Sequence, residues 1–204
     1  MLTYNFSNAR GIFFPAGLPP DGTCFYATEA CLKYCCIYKK TLSHKIIIGY
    51  EKKKKALDYF ITQPVRVIVN KLRQEYNNKI LYWFASGDCP LGYEKKIAQI
   101  IRHLSPETPQ NGFTRNKKLY NFLTNEKNVR LMLTIEKPSF EDFINTDRLA
   151  VPNYKTGLVD IYIKQKLVAK CSSESCGEFE DNCTACYQSG RGCFYGMFKN
   201  GLSY

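Results

Sequence analysis

Along most of the chain, short β-rich apolar runs alternate with stretches of helical period, and polar turns separate them. The pattern predicts strands at Lys79 to Ala85 (KILYWFA), Gly112 to Arg115, Val129 to Ile135 (VRLMLTI), Arg148 to Val151 and Leu158 to Ile163. Between them it predicts helices at Leu91 to Leu104 and Lys117 to Thr124, and a helical turn at Ser139 to Asn145. Ahead of this rhythm lies the Pro- and Gly-rich loop FFPAGLPPDGTC, which runs into a cysteine-bearing segment that becomes helical by about Glu29. Lys45 to Tyr50 (KIIIGY) reads as a short buried strand, and Glu51 to Asn77 as a helical stretch interrupted by Pro64. Strands alternating with helices predict parallel βαβ units, so the expected fold is α/β, a twisted sheet or a partial (β/α) barrel. In such folds the loops at the carboxyl ends of the strands converge on one face. Ser86, Gly87 and Asp88 follow one predicted strand, Thr114 and Arg115 end the next, and Thr134 and Glu136 end the one after. Turn and capping chemistry explains any one of these, but the series marks a candidate site.

At 204 residues with 45% hydrophobic positions, the chain can fill a proper core, which excludes disorder as its dominant state. No apolar run approaches the ~18 to 20 residues of a membrane span, and the start MLTYNFSNAR lacks a secretory apolar segment. A cytoplasmic protein with no membrane partner is the expectation. His44 and His103 stand in no nucleophile motif, and no phosphate-binding glycine loop ends in Lys-Ser or Lys-Thr. The net charge of +11 favours polyanionic partners, nucleic acid first among them. For the run Lys52 to Lys55 alone, a solvated basic face is an equal reading.

Ten cysteines without an export signal point to metal or redox chemistry rather than a disulfide framework. They form an amino-terminal group, Cys24, Cys31, Cys35 and Cys36, and a carboxyl-terminal group, Cys171, Cys176, Cys183, Cys186 and Cys193, with Cys89 between. Cys24, Cys31 and Cys35 (C-x6-C-x3-C) on a loop running into a helix can hold three irons of a four-iron cluster and leave the fourth open. Cys31 and Cys35 at i and i+4 would share a helical face, while Cys36 turns away to pack as a small hydrophobe. Zinc would need a fourth ligand, for which Cys36, His44 and His103 are the candidates; buried structural thiols are the plain alternative. In the second group, Cys171, Cys176, Cys183 and Cys186 lie in a polar stretch with a CTAC knuckle, which predicts either a second iron–sulfur cluster or a zinc ion. Cys193 belongs to an apolar run, and Cys89 is a buried or spare thiol.

These motifs resemble the small phage and plasmid proteins called gene product eighty-eight, relatives of radical S-adenosylmethionine enzymes. The resemblance runs through FPAGLPPDGTC and the C-x6-C-x3-C block, FASGD (Phe84 to Asp88) with Tyr93, FTR (Phe113 to Arg115), LTIE (Leu133 to Glu136), LAVP (Leu149 to Pro152) and the terminal cysteines. It implies a partial (β/α) barrel of the radical S-adenosylmethionine type over residues 1–165, with a Cys-rich metal-binding segment, 166–204, packed on it. It further implies a 4Fe-4S cluster on Cys24, Cys31 and Cys35 with S-adenosylmethionine on its open iron, and Tyr34 near the adenine. Ser86, Gly87 and Asp88 would be the turn that receives the methionine amino group, and Arg115 and Glu136 the partners of carboxylate and ribose. The expected function is then reductive cleavage of S-adenosylmethionine, fed by an electron donor, to modify a substrate such as a nucleic acid or nucleotide. The alternative is a non-enzymatic, metal-stabilised nucleic-acid-binding or host-interaction protein of a phage or mobile element, acting in the bacterial cytoplasm.

Overall fold

The computed structural model describes residues 2–6, 9–35, 47–75, 80–155 and 158–171. The chain enters through a hairpin, β1 (Thr3–Phe6) and β2 (Ala9–Phe13), paired antiparallel. Their sequences, TYNF and ARGIF, carry too few apolar positions to stand out in the hydrophobic pattern. A long loop then leads to the short helix α1 (Glu29–Tyr34), capped by the Thr28 hydroxyl, which accepts from Cys31 N at 3.1 Å.

The expected strand at Lys45 to Tyr50 is not found: α2 (Ile47–Thr62) begins inside it. The three isoleucines are too short a run to hold a strand on their own, and Glu and Lys, good helix formers, extend the following helix back through them. That helix buries Ala56 and Phe60, four residues apart, against the core. Pro64 separates α2 from α3 (Val65–Glu75), as expected of a residue without an N–H, and its carbonyl opens α3 by accepting from Val67 N and Ile68 N.

The remaining elements are β3 (Ile80–Ser86), α4 (Glu94–Leu104), β4 (Gln110–Thr114), α5 (Lys117–Leu123), β5 (Val129–Thr134), α6 (Phe140–Ile144), β6 (Arg148–Asn153), β7 (Leu158–Ile163) and β8 (Lys166–Cys171). All eight strands form one sheet in sequence order, parallel from β2 to β6 and antiparallel at both ends. The molecule is therefore α/β with a mostly parallel sheet. Because neighbours follow chain order, successive crossovers step the same way, and α3, α4 and α5 pack side by side. The sheet continues past residue 165, since Lys166–Cys171 is its last strand.

The core lies between the sheet and these helices. Trp83 packs edge-to-face on Phe60, which packs likewise on Phe14, with Ile68, Leu72, Ile97, Ile101, Leu119 and Leu131 around them. Two buried side-chain bonds tie the layers together: Trp83 Nε1 donates to Gln110 Oε1 at 2.8 Å, and Gln110 Nε2 to the Ile101 carbonyl at 3.0 Å. Between β2 and β3 the register breaks after Gly11 and Tyr82, and Phe84 takes a left-handed φ of 55° before Phe13 meets Ser86. This irregularity bends the end of β3 and re-aims the turn that follows it. No helix among the described residues is long and apolar enough to cross a membrane.

Candidate functional site

The carboxyl ends of β2 to β6 open at one edge of the parallel sheet, and the residues singled out by sequence gather there. The loop after β2 folds back on itself: Pro15 O accepts from Thr23 N (3.0 Å) and Thr23 Oγ1 (3.1 Å), and Gly17 O accepts from Cys24 N (2.9 Å). A side chain at Gly22 would place its Cβ 2.2 Å from Gly17 O, so only glycine closes this turn. Ser86 Oγ donates to Phe14 O at 2.7 Å, and Phe14 N to Ser86 O at 2.9 Å. Gly87 has φ +72°, and a Cβ there would lie 2.6 Å from Thr23 Oγ1. Thr23 Oγ1 also accepts from Asp88 N at 2.9 Å. Ser86 and Gly87 thus clamp the cysteine loop onto the end of β3, and Cys24 comes to lie within the field of Asp88.

Asp88 itself is 6% exposed and is surrounded by donors from its own chain. Oδ1 accepts from Thr114 Oγ1 (2.5 Å) and Cys89 N (2.7 Å), and Oδ2 from Arg115 N (2.8 Å). Burial raises its pKa, and these three bonds pull it back only in part. The carboxylate therefore ties the ends of β3 and β4 together. Thr114 Oγ1 passes the network on by accepting from Asn116 N, whose side chain caps α5 through Leu119 N and reaches Glu94. Cys89, 1% exposed, is a buried thiol pushed far up by burial and by Asp88.

Arg115 and Glu136 form an ion pair at 3.1 Å, with side chains 10% and 17% exposed. Tyr154, just beyond β6, joins them: Arg115 Nη2 donates to its hydroxyl at 2.7 Å, and the hydroxyl donates to Glu136 Oε1 at 3.0 Å. The Thr28 hydroxyl donates to that same Oε1, so one carboxylate oxygen fastens the start of α1 to the sheet. The Tyr34 ring stacks on Tyr154, with centroids 5.3 Å apart and planes within 8°. Tyr154 also lies close enough to the Cys31 thiol to influence it.

Cys24, Cys31 and Cys35 are half-buried and close enough to influence one another. Cys24 is pushed up to about 12, by burial first, then by Asp88, with the other two thiols adding to it. Cys31 is also raised by burial, against the pull of Arg115. Cys35 is not a helical residue as its spacing from Cys31 suggested: α1 stops at Tyr34, and Cys35 is its extended C-cap. Among the described residues, no three His, Cys, Asp or Glu side chains are already drawn into metal-coordinating geometry. As a donor set, though, the loop offers three thiols. His103 bonds to Gln99 O on α4 and does not join them. Three thiolates suit a cluster with one open iron, and Cys36 and His44, which could complete a four-ligand zinc site, lie outside the described residues.

No protein-family model, curated protein or solved structure matches the chain at a significant level.

Of the second cysteine group, Cys171 ends β8 opposite Val159, while Cys176, Cys183, Cys186 and Cys193 lie outside the described residues, as does Cys36. Tyr154, Thr28 and Thr23 were not read as functional from sequence. Tyr154 has a signal of the same kind as the others, since it follows a strand end (LAVPNY). One further residue stands out: Asn111, 1% exposed on β4, has an Oδ1 with no hydrogen-bond partner.

Proposed function

We propose that the chain is an iron–sulfur protein of the radical S-adenosylmethionine type, with a 4Fe-4S cluster on Cys24, Cys31 and Cys35 and a nucleic-acid or nucleotide substrate. The observation that carries this reading is the meeting of three mutually interacting thiols with Asp88, Arg115 and Glu136 at the carboxyl ends of consecutive parallel strands. When bound, such a cluster would pass one electron to S-adenosylmethionine, cleaving its sulfonium carbon–sulfur bond to methionine and a 5′-deoxyadenosyl radical. The electron would come from a separate donor protein.

The chain's own residues have definable tasks in this scheme. Asp88, through Thr114 and the Arg115 N–H, fixes the floor beneath the cysteine loop. Glu136 spends Oε1 on Thr28, Tyr154 and Arg115, while Oε2 has no hydrogen-bond partner among the described residues and can accept from a ribose hydroxyl. Arg115 keeps its charge beside that carboxylate and can turn toward a ligand carboxylate only by loosening the pair. The Tyr34–Tyr154 stack offers a flat apolar wall to an adenine. A partial barrel with a second metal centre at Cys171, Cys176, Cys183 and Cys186, holding iron–sulfur or zinc, belongs to the same proposal.

The test is anaerobic purification with iron, sulfide and zinc analysis, then electron paramagnetic resonance of the reduced protein before and after adding S-adenosylmethionine. A cluster signal that shifts on addition, and is lost when Cys24, Cys31 and Cys35 are replaced by serine, is the expected outcome. Iron that survives that replacement belongs to the terminal cysteines. Zinc without iron overturns the proposal.

A further inference from the structure

A second surface adjoins the cysteine loop. Phe25 and Tyr26, directly after Cys24, are 47% and 41% exposed and pack edge-to-face on each other with centroids 5.0 Å apart. Leu18 in the same loop is also exposed. Large aromatic side chains that remain in water on a tightly bonded loop are not there to fill the core: Thr23, Cys24, Phe25 and Ala27 all donate backbone bonds within it. The first turns of α2 lie against this loop. Tyr50 Oη donates to the Asp21 carbonyl at 2.8 Å, and Lys53 Nζ stands 5.9 Å from the Phe13 ring, at the end of β2. That docking sets the first turns of α2 beside the loop that carries the aromatic pair, and Lys52, Lys54 and Lys55 on it are exposed. On α1, Lys33 is exposed too, beside the Tyr34 ring. On the loop, α1 and α2 together, five lysines stand against Asp21, Glu29, Glu51 and Asp58, in a chain whose net charge is +11.

We propose that Phe25, Tyr26 and the lysines of α2 form a binding surface for single-stranded nucleic acid. Phosphates would run along Lys52, Lys54 and Lys55, and an unpaired base would stack on the Phe25–Tyr26 pair, one residue from Cys24. Exposed rings favour a single strand over a duplex, because only unpaired bases present a face to stack. The lysines supply the sequence-independent attraction. The binding itself stands on these side chains; that the strand is a substrate of the adjoining centre rests on the function proposed above.

Fluorescence anisotropy with a labelled oligothymidylate of about 15 nucleotides, and with the matching duplex, tests the surface over a range of salt. The protein is expected to bind the single strand several-fold more tightly than the duplex. Replacing Phe25 and Tyr26 together by alanine should weaken binding roughly 10- to 100-fold without altering the salt dependence, as the loss of one or two stacked bases predicts. Replacing Lys52, Lys54 and Lys55 by glutamine should instead flatten the log–log salt slope by about 2, near 0.7 for each phosphate contact with a single strand. All of these side chains are exposed, so circular dichroism should show folded variants. Equal affinity for duplex and single strand, or undiminished affinity in the aromatic variant, overturns the proposal, as does an unchanged slope in the lysine variant. The iron content and the response to S-adenosylmethionine report separately on the cluster. A protein that binds the oligonucleotide but lacks the cluster refutes the enzymatic reading alone; one that responds to S-adenosylmethionine but ignores the strand refutes this surface alone.

Discussion

At the residue scale, Asp88, expected from sequence to meet a cofactor, is occupied in the fold by donors of its own chain. Its place after a strand end, in FASGD, made it legible, yet the sequence could not reveal that Thr114, Cys89 and Arg115 would surround it with donors. Asp88→Asn puts an amide N–H against donors that need an acceptor, at a buried position. A loss of about 2–4 kcal/mol follows, or a melting temperature lower by roughly 4–16 °C for a chain of this size. Thermal unfolding followed by circular dichroism checks this. Wild-type stability combined with a weakened response to S-adenosylmethionine would instead make Asp88 a ligand-binding group. Arg115 and Glu136 were legible by the same strand-end logic; Tyr154 follows a strand end too, but its value lies in touching three other elements, which no local pattern shows. Thr28 was hidden for the same reason: its cap on α1 is local, while its bond to Glu136 spans 108 positions.

At the level of elements, hydrophobic period located β3 to β7 and the helices between them to within a few residues, since each buries a face against a neighbour next in sequence. It failed where pairing is distant or polar. β1 and β2 are held largely by backbone bonds, and β1 is anchored by a contact from the far end of α3. Glu75 accepts from Leu2 N (2.7 Å to Oε2) and from Thr3 N and Thr3 Oγ1 (2.7 and 3.0 Å). Burial alone would raise its pKa, but these bonds outweigh it and hold the carboxyl below its usual value. With the folded pKa depressed, the contribution to stability is complete above the unfolded value, near 4.3, and disappears as pH falls through the folded value. Glu75→Gln should therefore lower the urea midpoint at pH 7, and the two proteins should converge in acid, once the pH has fallen below the depressed folded value. A difference that stays constant from neutral to acid pH would mean that the charge of Glu75 contributes nothing to the anchor.

At the scale of the whole molecule, parallel strands in sequence order bring residues from positions 24 to 154 to one edge, and this convergence is what strand–helix alternation made legible before any contact was known. The two sides of that edge are not held equally. The ends of β3 and β4 are locked through buried Asp88 and Thr114 onto the core. By contrast, α1, which carries Cys31 and leads into Cys35, has no buried residue of its own. It is held by Thr28 on Glu136 and by the Tyr34–Tyr154 stack. Segments with few buried contacts open at low free-energy cost, so residues 24–35 should exchange their amide hydrogens early, and a ligand bridging Cys24, Cys31 and Cys35 should suppress that opening. Anaerobic reconstitution with iron and sulfide is therefore expected to raise amide protection across 24–35. It should also raise the melting temperature by roughly 5–11 °C, as a ligand at about a hundredfold its dissociation constant does in a chain of this size. The variant with serine at Cys24, Cys31 and Cys35 should gain neither. A higher melting temperature with unchanged exchange across 24–35 would place the bound iron elsewhere in the chain, and α1 would then be a surface helix with no part in holding it.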